Sequence, residues 1–264
     1  MFNRAYLKDR AKSLLSLSYW PCMGAAALLL GLSLIASFAI NIFHSLFSSL
    51  FTYSFYMLNP SQSGSSFSAI IISLVSMVLS VAVAVLPNIF VTYPLTVGLY
   101  RYFLDNQLNP GRSRLDNLVI SFTSGNYKNI VTVMFAMVSR ILLWSLLFII
   151  PGIIKTYEYK FVPYIMADNP RLDSNRALEI SSAMTNGLKL DIFIFELSFI
   201  GWYILGIAAC YVGVLFVLPY YYAAEAEIYA SARHNAFTSG VCHFSELGFA
   251  DPAGQPNVQP PVIM

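Results

Sequence analysis

An apolar run near the start of the chain decides its class, and it reads Cys22-Met-Gly-Ala-Ala-Ala-Leu-Leu-Leu-Gly-Leu-Ser-Leu-Ile-Ala-Ser-Phe-Ala-Ile-Asn-Ile-Phe43. A helix rises ~1.5 Å per residue, so a run of this length spans the ~30 Å hydrocarbon core of a bilayer. A cleaved secretion signal has an apolar region of only about 7–15 residues. The run therefore predicts a retained transmembrane helix.

The overall composition points to the same class of protein. Of the 264 residues, 57% are hydrophobic and only 11% are charged, whereas a soluble domain carries about 25% charged residues. The net charge of +2 leaves no basic surface for a nucleic acid. Cys22, Cys210 and Cys242 show no metal-ligand spacing, so we expect neither a metal nor another cofactor. The composition predicts an all-α multipass membrane protein.

Five further apolar stretches follow the first, at 68–104, 128–150, 152–167, 190–211 and 213–232. The N-terminal segment and the loops 105–128 and 168–189 carry Lys and Arg, whereas residues 44–67 carry no charge. Because cytoplasmic loops are enriched in Lys and Arg, this pattern predicts about six transmembrane helices with both termini cytoplasmic.

The stretch from 128 to 167 is the weak point of that count. It must cross twice, with a turn near Ile150-Pro-Gly152, and its return arm of 152–167 is short for a bilayer crossing. In a five-crossing alternative, residues 153–167 are re-entrant or interfacial and the loop 168–189 lies outside.

The second arms of the three predicted hairpins share a pattern. Each has an apolar run that meets a proline, and a small residue follows four positions later, as in Pro94/Gly98, Pro163/Ala167 and Pro219/Ala223. Proline kinks a membrane helix, and a small residue lets a neighbour approach closely. The pattern predicts three related proline-kinked hairpins, although proline is also simply frequent in membrane helices.

Two segments outside the spans are amphipathic. Residues 3–19 place Arg4, Lys8 and Lys12 in a basic stripe, which predicts a helix bound to anionic lipid headgroups. Residues 173–187 begin with a possible helix N-cap, Asp173 or Ser174, and end at Gly187. Either helix could bind a protein partner in the membrane instead. We therefore divide the chain into an amphipathic N-terminal helix (1–21), a transmembrane domain (22–235) and a disordered, Pro-rich tail (236–264).

Several motifs in combination resemble a bacterial family of integral membrane proteins catalogued as domain of unknown function 975. They are the opening from Arg4 to Trp20, the segments Ile150 to Lys155 and Pro163 to Pro170, the segment Ala177 to Gly187, the stretch Asp191 to Trp202, and the stretch Pro219 to Tyr229. The resemblance covers residues 4 to about 233. It implies a multipass protein of the bacterial cytoplasmic membrane, and it carries over no catalytic residue.

Ionisable residues inside a membrane are candidates for a functional site. Arg140 is the deepest by residue count, and we expect it to pair with Glu225, or failing that with Glu196. Lys155 and Glu158 are three apart and can pair with each other. With Tyr157 and Tyr221, these residues form either a polar path through the bundle or a structural ion pair that fixes helix register.

The chain shows no nucleotide-binding, zinc-peptidase or nucleophile-elbow motif, so we do not expect an enzyme. With few charges inside the apolar stretches, we expect a non-enzymatic accessory or scaffold protein. The alternative is a small transporter or lipid-handling protein that uses a polar intramembrane site.

Overall fold

The structure is a computed structural model, which describes residues 4–58, 70–71, 74–76, 78–79, 85–208 and 212–250. These residues form nine α-helices. They are α1 (Arg4–Leu58), α2 (Tyr93–Leu108), α3 (Ile120–Thr123), α4 (Tyr127–Leu147), α5 (Ile149–Glu158), α6 (Val162–Asp168), α7 (Ser174–Thr185), α8 (Lys189–Ala208) and α9 (Val212–Thr238). Single turns of 3₁₀-helix cover Leu115–Val119 and Phe244–Leu247, and a π-helical turn covers Asn88–Thr92. The all-α prediction is confirmed.

The chain divides into two units. One comprises Met1–Leu29 and Tyr93–Met264, and the other comprises Leu30–Thr92. In the second unit, α1 exposes most of its large apolar side chains, and the rings of Phe43, Phe47 and Phe51 stack in succession at 6.2 and 6.4 Å between centroids. All the sites discussed below lie in the first unit.

Three helices among the described residues are long and apolar enough to cross a membrane, namely Arg4–Ser54, Tyr127–Leu147 and Lys189–Ala208. Part of the predicted span 68–104, and residues 59–67 of the charge-free stretch before it, lie outside the described residues. Tyrosines and two glutamates make α9 more polar than these three helices. The structure thus supports a membrane location, and six spans remain a prediction.

The predicted span 152–167 is not one helix. It is divided between α5 and α6 by a break at residues 159–161, and residues 161–167 are buried in protein. Pro163 lies in the first turn of α6, where its missing N–H leaves no helical bond unmade. Non-helical backbone, such as this break, is tolerated at membrane depth only where protein surrounds it or where it lines a cavity.

The turn that separates the arms of the second hairpin lies at Phe148, whose backbone is extended, two residues before the predicted site near Ile150-Pro-Gly152. Pro151 and Gly152 belong to the start of α5. A Cβ at Gly152 would overlap the Ser145 side chain, so glycine is needed where α5 packs closely on α4.

Both amphipathic segments bury their apolar faces against the chain itself. In the N-terminal part of α1, Leu7, Ala11 and Leu15 are buried, and a kink at Ser18 precedes Pro21. In α7, the Asp173 side chain caps the first turn as predicted, and Gly187 has a positive φ of 75° just after the helix. Lipid contact by residues 3–19 stays a prediction.

The predicted disordered tail starts too early. The structure extends α9 to Thr238 and continues through the Phe244–Leu247 turn to residue 250, whereas residues 251–264 lie outside the described part of the chain. Arg176 holds this segment by donating to both carboxylate oxygens of Glu246, at 2.8 and 3.2 Å, and to the Val241 carbonyl. The hydrogen bond from Arg176 lowers the pKa of Glu246. The ion pair between Arg176 and Glu246 thus fixes a segment that its composition alone predicts to be disordered.

Candidate functional site

Lys160 lies at the centre of a buried ionic cluster, in the break between α5 and α6. Its ammonium group contacts the carboxylate of Glu196 on α8 and that of Glu225 on α9, where the Nζ–Oε1 distance is 2.7 Å. The Glu225 side chain is only 4% exposed. The cluster therefore joins three separate elements through one cation.

Tyrosine hydroxyls complete the shell around the two carboxylates. Tyr157 donates to Glu196 at 2.7 Å, and Tyr164 donates to Glu225 at 3.2 Å. The Tyr221 hydroxyl lies 3.5 Å from Glu196 and 3.4 Å from Glu225. With both glutamates ionised, two carboxylates face one ammonium, so this cluster carries a formal charge of −1.

The three proline arms meet beside this cluster. The rings of Tyr100 on α2 and Tyr164 on α6 stack at 3.8 Å between centroids, and Tyr164 stacks on Tyr229 of α9 at 4.9 Å. Pro94, Pro163 and Pro219 are all buried, but they lie respectively in the first turn of α2 after a π-helical turn, in the first turn of α6, and inside α9. The three arms therefore pack against one another, but they do not share one proline-kinked helix geometry as predicted.

A second buried pair lies beyond the tyrosine stack. Asp168 accepts hydrogen bonds from the Tyr229 hydroxyl and from Nη1 of Arg233, both at 2.7 Å. The Asp168 side chain is 2% exposed. Because its charge is matched by Arg233, this pair anchors the end of α6 to α9 without leaving a surplus charge.

A partly open cavity of about 380 Å³ adjoins the cluster. Tyr157, Lys160 and Glu196 supply its polar wall, and Met137, Ile141 and Ile153 supply much of its apolar wall. Small-molecule sites typically have volumes of about 300–1,000 Å³ and combine an apolar lining with a few polar groups. The cavity thus presents both signs of charge to a small ligand.

The predicted pair between Arg140 and Glu225 is wrong. Arg140 donates from Nη2 to Asn175 Oδ1 at 2.8 Å, while Glu225 pairs with Lys160. The residue count placed Arg140 deep in a membrane, but α7 packs against α4 and brings Asn175 to it. The predicted contact between Lys155 and Glu158 is confirmed, at 2.6 Å.

Of the predicted site residues, the structure therefore brings together Glu225, Glu196, Tyr157 and Tyr221. Arg140 and Glu158 line a different cavity, and Lys155 contacts Glu158 at its edge. The sequence reasoning missed Lys160 and Tyr164. A signal for Lys160 was present, because it is an ionisable residue in the middle of the apolar stretch 152–167.

The described part of the chain contains no group of three or more His, Cys, Asp or Glu side chains that could hold a metal ion. Cys22 and Cys242 are buried and form no disulfide.

Comparison with known proteins gives one match. The model of a family described as a protein of unknown function, DUF975, matches residues 1–236. No curated protein and no solved structure matches the chain. Since the family model covers most of its length, the chain belongs to the DUF975 family.

Proposed function

We propose that this protein is a non-enzymatic multipass protein of the bacterial cytoplasmic membrane that binds a small charged ligand, in the class of small transporters and lipid-handling proteins. The observation that carries the proposal is the cavity of about 380 Å³ that reaches Lys160 and Glu196. A purely structural ion pair needs no such opening, because desolvation strengthens the attraction between its charges.

The excess of carboxylate defines the class of ligand. Lys160 has two acidic neighbours, and the Glu196 side chain, which is 27% exposed, is the acidic group that lines the cavity. A cationic or zwitterionic group is therefore favoured there over an anion. The sequence shows none of the catalytic motifs sought, so the proposal includes no chemical step.

Contacts between distant segments support an even number of crossings by residues 128–167, as the proposed topology of six crossings requires. Asn129, at the start of α4, donates to the carbonyls of Pro170 and Leu172, both at 2.9 Å. Residues 128–167 therefore leave and return at the same end of the unit. That arrangement favours an even number of crossings between the loops 105–128 and 168–189, in contrast to the five-crossing alternative.

The chain termini support the same arrangement. The loop 168–189 holds the C-terminal segment through Arg176 and Glu246, and the N-terminal Arg4 lies 3.9 Å from Asp191, just after that loop. Both ends of the described chain thus lie beside a loop that the charge pattern assigns to the cytoplasm.

An accessory or scaffold role is the second candidate, and a separate observation favours it. From residue 30 onward, α1 exposes large apolar side chains such as Leu34, Phe38 and Leu50. Lipid or another membrane protein would cover such a surface. In this role the Lys160 cluster would act only in stability.

Cysteine reactivity separates the two candidates. In a chain whose three native cysteines are replaced by alanine, Ile141→Cys places a thiol on the cavity wall at a partly exposed position, and Met134→Cys places one on the same helix in fully packed protein. We expect polar methanethiosulfonate reagents to modify position 141 but not position 134. The rate of modification by each reagent is divided by its rate with a free thiol in solution. The resulting ratio should be larger for the cationic ethylammonium reagent than for the anionic ethylsulfonate reagent.

Adding Glu196→Gln provides the matched control for charge. It removes the excess carboxylate while keeping the size of the side chain, so the preference for the cationic reagent should disappear. If positions 141 and 134 are equally unreactive, the cavity is closed to water, and the accessory role replaces the ligand-binding role.

A further inference from the structure

A second cavity, of about 450 Å³, lies on another side of the same unit. It is lined by Arg140 from α4, by Ser182 from α7, and by Asn186 and Lys189 around the start of α8. Tyr159 lines both this cavity and the one beside Lys160. The guanidinium, hydroxyl, carboxamide and ammonium groups on this wall are all hydrogen-bond donors.

The charges of this cavity leave a positive surplus. Glu158 contacts Lys155 at 2.6 Å and Lys189 at 2.9 Å, so two cations already face one carboxylate. Arg140 adds a third cation, which donates to the neutral side chain of Asn175. Glu179 also lines the cavity and contacts Arg176 at 3.4 Å, but Arg176 is already held by Glu246, so these groups together place four cations against three carboxylates.

An exposed apolar surface continues directly from the Arg140 wall. Beyond Arg140, the end of α4 and the start of α5 expose a run of large apolar side chains: Leu142, Leu143, Trp144, Leu146, Leu147, Phe148, Ile149, Ile150, Ile153 and Ile154. Lys155 lies over the Trp144 ring, 5.5 Å from its centroid. Tryptophan and lysine are typical of the level where lipid headgroups meet hydrocarbon.

We infer that the Arg140 cavity binds a phosphate group, and that the adjoining surface holds the acyl chains of the anionic lipid that carries it. Arg140 and Lys189 contact the phosphate oxygens, while the Asn186 carboxamide completes the donor set. This site is separate from the proposed Lys160 site, which favours the opposite charge. It also differs from residues 3–19, where Arg4 and Arg10 already contact Asp191 and Glu227.

Calorimetric titration of the full chain in detergent tests the inference. The probes are dihexanoyl phosphatidylglycerol, dihexanoyl phosphatidylcholine and sodium phosphate. We expect phosphatidylglycerol to bind more tightly than phosphatidylcholine. Arg140→Gln and Lys189→Gln should each weaken its binding about tenfold or more, because each removes a charge-assisted hydrogen bond.

Lys128→Gln is the matched control, since it removes one positive charge from the exposed start of the same helix, α4. It should leave the affinity unchanged. Binding of sodium phosphate as tight as that of phosphatidylglycerol, with the same dependence on Arg140, would identify free phosphate as the ligand of the site. Equal affinity for phosphatidylglycerol and phosphatidylcholine without phosphate binding, or an Arg140→Gln affinity equal to that of Lys128→Gln, would overturn the inference.

Discussion

The environment of Lys160 accounts for the break in the helix between α5 and α6. An ionisable side chain at the centre of a membrane helix costs about 2.5–3.5 kcal/mol on insertion scales unless it finds a partner. The break at 159–161 brings its ammonium group to Glu196 and Glu225, which lie on two different helices. A local loss of helical hydrogen bonding is offset by ionic contacts.

Thermal unfolding of single and double variants tests this pairing. Lys160→Met leaves the buried Glu225 carboxylate and the partly exposed Glu196 carboxylate uncompensated, so it should destabilise the protein by about 3–5 kcal/mol. Glu225→Gln should cost less, because Glu196 still faces the lysine. The double variant should be less destabilised than the sum of the two single variants, since the residues are in contact.

Arg140→Ala supplies the comparison. Combined with Glu225→Gln, its effect should be additive to within about 0.5 kcal/mol, because the two residues do not touch. Coupling of Arg140 to Glu225, together with additivity between Lys160 and Glu225, would contradict the ionic cluster described above.

The residue scale also shows where prediction from the sequence succeeds and where it stops. Glu225, Glu196, Tyr157 and Tyr221 were identified because polar groups in apolar stretches need partners, and the structure brings these four together. The correct cation was missed because counting residues along continuous helices placed Arg140 deepest. Lys160 reaches the carboxylates only through the break at 159–161, and the sequence pattern does not reveal that break.

At the level of the elements, the three proline arms are predictable as a pattern but not as a geometry. A close approach at the small residue after the proline is confirmed at Gly98. Its neighbour, however, is the backbone of the 3₁₀ turn Leu115–Val119 rather than another helix. That turn lies in the loop 105–128. The Lys and Arg content of this loop predicts its side of the membrane but not how it folds. Packing of a loop onto a helix depends on tertiary structure, which hydropathy does not report.

Gly98→Ala tests this close approach. A Cβ at this position would overlap the carbonyl of Leu118 and lie 2.7 Å from its carbon atom, so the turn must shift. We expect a loss of about 1–3 kcal/mol, the usual range for overpacking, measured by thermal unfolding in detergent. Gly201→Ala in α8 is the control, because nothing lies within 4 Å of its added Cβ. Equal melting temperatures for the two variants would show that Gly98 is not in tight contact.

At the scale of the whole molecule, contacts among distant segments gather at one end of the first unit. Asn129 contacts Pro170 and Leu172, and Arg176 holds the C-terminal segment. The sequence predicts the side of each loop from its Lys and Arg content, and these contacts agree with that assignment. Hydropathy alone could not distinguish five crossings from six, because 152–167 is divided between two short helices and its second half, 161–167, is buried in protein rather than facing lipid.

Cysteine labelling in intact cells tests the central claim of an even number of crossings between the loops 105–128 and 168–189. Single cysteines at Ser63, Ser113 and Arg171 in a cysteine-free chain are treated with a membrane-impermeant maleimide. We predict labelling of Ser63→Cys in intact cells, and labelling of Ser113→Cys and Arg171→Cys only after permeabilisation. Labelling of Arg171→Cys in intact cells while Ser113→Cys stays protected would place the two loops on opposite sides and contradict the account.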